Sequence, residues 1–461
     1  MRVEQGRARW RQTASRPDSG RAWWALIVVT LVAGLSAPGQ TIGVSVFIDP
    51  MLGSLPVTRS QLSGAYLVGT LTGAMALPLV GTWADRVGVR RALIVITFGF
   101  AGALAAMSSV AGPITLALGF TVLRLCGQGA NGVVTGASVA VWFERRRGLA
   151  VGLLTTGGGL LLASIPMLLE RSIAAVGWRT TWLLAAVGIA VVLLPLLVWT
   201  LANQPPPRPP DSAEPVTGMP REAATPPASS HDAAAPTDGT AAAPGPAPTS
   251  AGRDAKVRSD PRRWSLDRRQ AMRTVPFWGL AAVSAAVSLL GTGVTFHHIA
   301  IMAERGLTGI EATAVFLPLM VGGAIAALTA GALTDRVPGR LMLAGTMVAL
   351  TAGLITGSYV QPGLLAAAYG LCIGAAQASS RTVVTALLPA WFGTRHIASI
   401  HGALMTVGIG ASALGPLLVS WLEPLTFTAG LRLLAIPSGI LIVVALFLGP
   451  PRRVSAPRPT A

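Results

Sequence analysis

Long apolar runs separated by short polar joints cover most of this chain. A run of about 20 residues without charge suffices to cross a ~30 Å hydrocarbon layer as a helix. Twelve such spans are predicted: 23–47, 60–80, 91–110, 115–142, 148–169, 180–201, 274–298, 311–333, 341–359, 363–391, 397–420 and 428–449. The runs are continuously apolar rather than alternating, which argues against a β-barrel. The pattern therefore predicts an all-α polytopic membrane protein.

The spans repeat. Gly43-Val44-Ser45 returns as Gly293-Val294-Thr295, and Pro166 as Pro416, both 250 residues on. "GTWADRVG" at 81 returns as "GALTDRVPG" at 331, again at 250. Gln128 matches Gln377, and Trp142-Phe143 matches Trp391-Phe392, at 249. Two homologous six-helix halves, 23–201 and 274–449, are implied. Six is even, so both halves insert with the same orientation as parallel repeats, and transporters built this way place substrate between the halves. The joining segment, 202–273, is Pro/Ala/Ser-rich for its first sixty residues and is expected to stay mostly disordered. Its last stretch, "RRWSLDRRQAMR", is basic enough for a short amphipathic helix on an anionic leaflet. Tails of 1–22 and 450–461 complete the chain.

Composition sharpens this. Of 461 residues 52% are hydrophobic and 11% charged, and the net charge is +17. The basic residues sit in short joints, so topology explains them and a nucleic-acid partner is not expected. With the N-terminus inside, cytoplasmic segments hold 28 Arg and Lys, against four outside: Arg59, Arg171, Arg179 and Arg305. That bias places both termini in the cytoplasm. The run from Trp23 lacks a short signal-like core with a cleavage site and reads as a retained first span. Arginines outnumber lysines 34 to one. With abundant Ala, Gly and Pro, this suggests a high-GC bacterial genome and hence the inner membrane. Cys126 and Cys372 fall inside spans and read as small core residues.

"GTWADRVGVRR", Gly81 to Arg91, and its copy "GALTDRVPGR" give the chain its clearest signature. With twelve spans and a 6+6 repeat, they resemble the major facilitator superfamily. Its loop motif, Gly-x-x-x-Asp-Arg-x-Gly-Arg-Arg, is matched here with one residue inserted before the Arg pair. "WFERRRGLAVGLLTTGGG", "MRTVPFWG" and "WFGTRHIASIHG" are similar to the monocarboxylate-transporter and oxalate/formate-antiporter branch. The resemblance implies a cytoplasmic latch. Asp85 would dock on the start of span 11, and Arg86 or Arg90 would pair with Glu144 at the end of span 4. In the second half Gly393 replaces the acid, so Asp335 and Arg336 would form a poorer network. The branch also implies a basic residue in span 1 and a charged pair in span 8. "LVAGLSAPGQTIGVSVF" and "VFLPLMVGGAIAALTAGAL" hold neither, so proton symport of lactate-like acids does not simply carry over.

Charge inside a span costs at least about 2.5–3.5 kcal/mol and calls for a reason. Arg381 lies ten residues before Trp391, so about 15 Å from the end of span 10 and near mid-membrane. Gln377 lies one turn away on its face. Span 4 carries Arg124, Gln128 and Gly132 at i, i+4 and i+8, with Asn131 and Thr135 beside them. No Asp or Glu lies deep in a span to neutralise the two arginines. An anionic substrate held bidentately by Arg381 and Arg124, and oriented by Gln377, Gln128, Asn131 and Gln40, is expected. For Arg124 the alternative is a structural hydrogen bond to a bent neighbouring helix. His297 and His298 are candidates for proton coupling, or else polar residues of an outer vestibule.

The sequence thus predicts a secondary transporter of a small, monocarboxylate-like organic anion. It would work as a monomer in the bilayer by alternating access, with a coupled proton or counter-anion. The alternatives are a multidrug or amphiphile exporter and a non-transporting membrane sensor. No metal, nucleophile or cofactor constellation suggests an enzyme, and no cofactor is expected.

Overall fold

The computed structural model describes residues 20–143, 146–202 and 265–451, except 335 and 394. Glu144, Asp335, most of the joining segment and nearly all of both tails lie outside the described residues, as does the placement of the Asp85 side chain. The described chain is helical and contains no strand.

Ten helices are long and apolar enough to cross a membrane. They are Arg59–Ala84, Val89–Met107, Leu149–Val176, Trp178–Leu201, Val275–Phe296, Gly309–Leu333, Gly339–Ser358, Leu364–Phe392, Ser399–Ser420 and Phe427–Phe447. These are spans 2, 3, 5, 6 and 7 to 12. The other two are irregular. Span 4 runs as Pro113–Arg124 and Asn131–Trp142, with a π-helical turn, Leu125–Ala130, between them. Span 1 begins as Gly20–Leu35, tightens into the 3₁₀ turn Ala37–Gly39 and resumes at Thr41–Val44. Pro38 explains that break, since it has no N–H to donate and its ring crowds the preceding turn. Sequence reading places a single unbroken helix here. The two irregular turns face each other: a Cβ on Gly39 would lie 2.8 Å from the Gly127 Cα. Only paired glycines let the backbones cross this closely.

Both halves use the same devices. Thr58 accepts from the Gln61 amide at 3.2 Å, and Gln61 Oε1 from the Thr58 amide at 3.0 Å, closing a capping box at the start of span 2. Thr308 and Glu311 repeat it at the start of span 8. Pro166 and Pro416 sit inside spans 5 and 11. The basic segment before span 7 forms the short helix Arg268–Met272, whose approach is pinned by the Leu266 amide donating to the Phe392 carbonyl at 3.0 Å.

Glu304, in the joint between spans 7 and 8, ties down span 12. Its carboxylate accepts from the Phe427 amide (2.7 Å), the Thr428 amide (3.1 Å) and the Thr428 hydroxyl (2.6 Å). Burial pushes this carboxyl up, but those hydrogen bonds and neighbouring Arg305 outweigh it and hold it below the usual carboxylate range. A depressed carboxyl contributes stability that is present above its unfolded pKa and lost as pH falls through the folded one. Glu304→Gln should therefore cost about 0.5–1 kcal/mol near neutral pH, a modest figure because the group is exposed. In thermal melts in detergent, the gap to the parent should close in acid.

Candidate functional site

The two halves touch mainly at one end. The "far end" here is the one where spans 2, 8 and 12 begin; the "motif end" carries Gly81 to Arg91. Among the described residues, every ion pair, hydrogen bond and ring contact between the halves lies toward the far end. Arg59, at the start of span 2, is the keystone. Its Nη2 meets Asp49 Oδ1 at 2.6 Å in its own half, and its Nε meets Glu423 Oε1 at 3.0 Å in the other. Its guanidinium also lies 5.5 Å from the Phe427 ring centre. Ser420 bonds Ser60 at 3.4 Å beside it. Two turns into span 2, the Tyr66 and Phe296 rings meet across the seam at 4.5 Å, both fully buried. Sequence reading treats Arg59 only as an outer-loop charge. Its partners lie 10 and 364 residues away, and no local pattern links them.

The interior residues divide in two. Arg124 is buried, 5% exposed, and turned onto the break in span 1. Its Nη1 donates at 3.4 Å to the Gly39 carbonyl and to the Thr41 hydroxyl, and the guanidinium covers the Tyr66 ring at 4.7 Å. Its Nε has no partner. Gln40 donates to Ser36 Oγ and to the Gly127 carbonyl, both at 3.2 Å. Asn131 donates to the Val32 carbonyl and is likewise 5% exposed. These residues bind span 1 to span 4. The stripe read along span 4 is therefore split: Gln128 and Gly132 are exposed, while Arg124 and Asn131 are not.

Arg381 is different. Its side chain is exposed and has no hydrogen bond or ion pair among the described residues. Its neighbours on span 10 fix its direction. Gln377 packs on Gly291 of span 7, and Ala378 on Gly323 of span 8. Arg381 follows them by four and three residues, so it lies on the face between spans 7 and 8, one turn nearer the motif end. Thr385 continues that face and is exposed too. At the 249-residue offset Arg381 falls on Gly132 and Arg124 on Ile373, so neither arginine is repeated.

His297 and His298 are buried at the far end rather than lining a vestibule. His297 Nε2 meets the Pro416 carbonyl at 2.9 Å, and its Nδ1 has no partner. His298 Nε2 meets the Ala312 carbonyl at 2.8 Å, and its Nδ1 the Tyr369 hydroxyl at 3.3 Å. A carbonyl only accepts, so each ring carries its proton on Nε2. The side chains of Arg86, Arg90 and Arg336 make no bond to a described residue. Among the described residues no His, Cys, Asp and Glu cluster could hold a metal.

Comparison with known proteins places this architecture. The sequence profile described as the Major Facilitator Superfamily matches residues 25–371. A gallate transporter of Pseudomonas putida is 27% identical over 460 residues, covering 91% of this chain and 93% of that one. An uncharacterised MFS-type transporter of Bacillus subtilis, YcxA, is 27% identical over 41% of this chain and 46% of its own. The riboflavin transporter RibJ of Trypanosoma cruzi is 33% identical over 32% of each. The chain thus spans less than half the length of these last two. Among solved structures, a bacterial homologue of the human lysosomal transporter Spinster, inward-facing and unoccupied, superposes with a TM-score of 0.65 at 15% identity. That match covers 93% of this chain and 96% of the other. The chain belongs to the Major Facilitator Superfamily.

Proposed function

We propose that this chain carries a small organic anion of the monocarboxylate class across the bacterial inner membrane by alternating access. One observation carries the reading: Arg381 is an unpartnered guanidinium on an exposed face of span 10, between spans 7 and 8. The carboxylates described inside the membrane region all lie at the far end, so none neutralises it. A carboxylate substrate does so through two parallel N–H···O bonds, the geometry that favours arginine over lysine. Gln377 lies one turn deeper to orient the ligand, and Gln128 is an exposed amide on span 4 of the first half. Arg124 holds the break in span 1, and its free Nε offers the anion a second donor when that break moves. Gallate is itself a carboxylate, and similarity to a gallate transporter along nearly the whole chain supports the class. The 28-to-4 bias of basic residues supports a cytoplasmic motif end, which makes the described conformation inward-facing.

Binding and uptake by the purified protein test this reading. Benzoate, hydroxybenzoates and short aliphatic monocarboxylates should raise the melting temperature and compete for uptake at two pH values. Stabilisation by neutral amphiphiles with none by carboxylates would replace the reading with that of an amphiphile exporter. The loop motif keeps its separate role as a latch. Asp85→Asn should change turnover several-fold, with substrate affinity within about twofold, because a latch acts on the populations of states rather than on the site. A pure loss of affinity would contradict it.

A further inference from the structure

Six carboxylate side chains are described, and five of them are engaged. Asp49 and Glu423 hold Arg59. Asp267 accepts from the Gln270 amide, Glu311 from Thr308, and Glu304 from Phe427 and Thr428. Glu170 alone has no hydrogen bond or ion pair with a described residue. It is half-buried toward the far end of span 5. Its carboxyl lies against Gly309, the first residue of span 8 in the opposite half, so closely that a Cβ there would overlap it.

Its surroundings hold little positive charge. Across from it on span 8, Glu311 is ionisable and takes the Thr308 amide and hydroxyl for itself. Asp49, at the end of span 1, is near enough to act on it electrostatically. Arg59, from span 2, gives Nη2 to Asp49 and Nε to Glu423, and its Nη1 is buried without a partner rather than bonded to Glu170. On span 6, Arg179 donates to the Ser108 carbonyl and covers the Trp178 ring. The part of span 4 against span 5, Asn131–Trp142, has no titratable side chain. Arg171, next along span 5, is exposed and makes no described bond. A carboxylate shut into this seam would lose water without a bonded donor and with Asp49 near it, whereas a neutral carboxyl closes without that penalty.

We propose that Glu170 binds a proton when the far end closes and releases it when that end opens. The proton is then a ligand of the closed seam. By reciprocity, acid favours closure by the same factor as closure raises the proton affinity. The coupling site sits at the interface between the halves and is separate from the anion site at Arg381. It needs no substrate to operate.

The test reads the seam directly. Spin labels on Pro56→Cys and Leu425→Cys, exposed positions on opposite halves, report its width by pulsed dipolar spectroscopy. Cys126 and Cys372 are replaced by Ala, and the protein is reconstituted in lipid nanodiscs. From about pH 5 to about pH 9 the closed population should fall roughly tenfold relative to the open one. In Glu170→Gln it should stay at its acid value throughout, while Glu170→Asp should keep a transition as evidence of a sound fold. The same pH response in Glu170→Gln overturns the proposal, as does no response in the parent. A response kept in Glu170→Gln but lost in His297→Asn gives the proton to the histidine and also overturns it. No carboxylate is added, so failure to find an anionic substrate would leave this result untouched.

Discussion

Arg381→Ala is expected to lower the kcat/KM of carboxylate uptake in proteoliposomes by about two orders of magnitude, or to abolish it. Two charge-assisted hydrogen bonds to a substrate carboxylate are worth about 1.5–3 kcal/mol each in a site shielded from water. No residue described nearby could replace them. Stability should change little, because the Arg381 side chain is exposed and bonds nothing described, so its removal leaves no buried group unpaired. Membrane yield and melting temperature of the apo protein should match the parent. Arg381→Lys should recover part of the activity, since it keeps the charge but not the planar fork. Arg124→Ala should behave differently. It removes the donor to the Gly39 carbonyl and one of the two bonds of the Thr41 hydroxyl, and uncovers a buried ring, so expression and stability should fall along with transport. Undiminished uptake by Arg381→Ala would remove that residue from the site.

The contrast between the two arginines marks where the sequence stops informing. Both are lone cations in apolar spans, and hydropathy treats them alike. Whether each faces another helix or an open face depends on the break at Pro38 and the π turn at Leu125–Ala130. The break carries a local signal in Pro38-Gly39. The π turn carries none that helical spacing reveals, and it is this turn that splits Arg124 and Asn131 from Gln128. The twelve spans were legible for a simpler reason: a bilayer enforces helix length and apolarity residue by residue. The two six-helix halves were legible because landmarks such as the Trp-Phe pairs recur at a fixed offset. The far-end seam was not legible, because Arg59, Asp49, Glu423, Tyr66 and Phe296 meet only once the halves dock. The paired loop motifs point to the opposite end, where Glu144 and Asp335 lie outside the described residues.

That seam makes the second large effect. Arg59→Ala is expected to open the far end. The Arg59 side chain is only 13% exposed and answers two carboxylates from opposite halves. Without it, Asp49 and Glu423 face each other unpaired and the Phe427 ring loses its cover. Removing one partner of a largely buried ionic group costs about 1–3 kcal/mol, because charges are left behind without compensation. Applied to two conformations, that range shifts their ratio by roughly 5- to 150-fold. Glu423→Gln should do much less, since Glu423 is 46% exposed and a pair at such a surface is worth under about 1 kcal/mol. Ser63 offers a readout: it is fully buried on span 2 between Ser60 and Tyr66, and a cysteine there is a small change. Maleimide should label Ser63→Cys slowly in the parent, markedly faster with Arg59→Ala, and nearly as slowly with Glu423→Gln. If Arg59→Ala leaves the labelling rate unchanged, the Tyr66–Phe296 ring contact holds the seam by itself and the ion pairs merely decorate its rim.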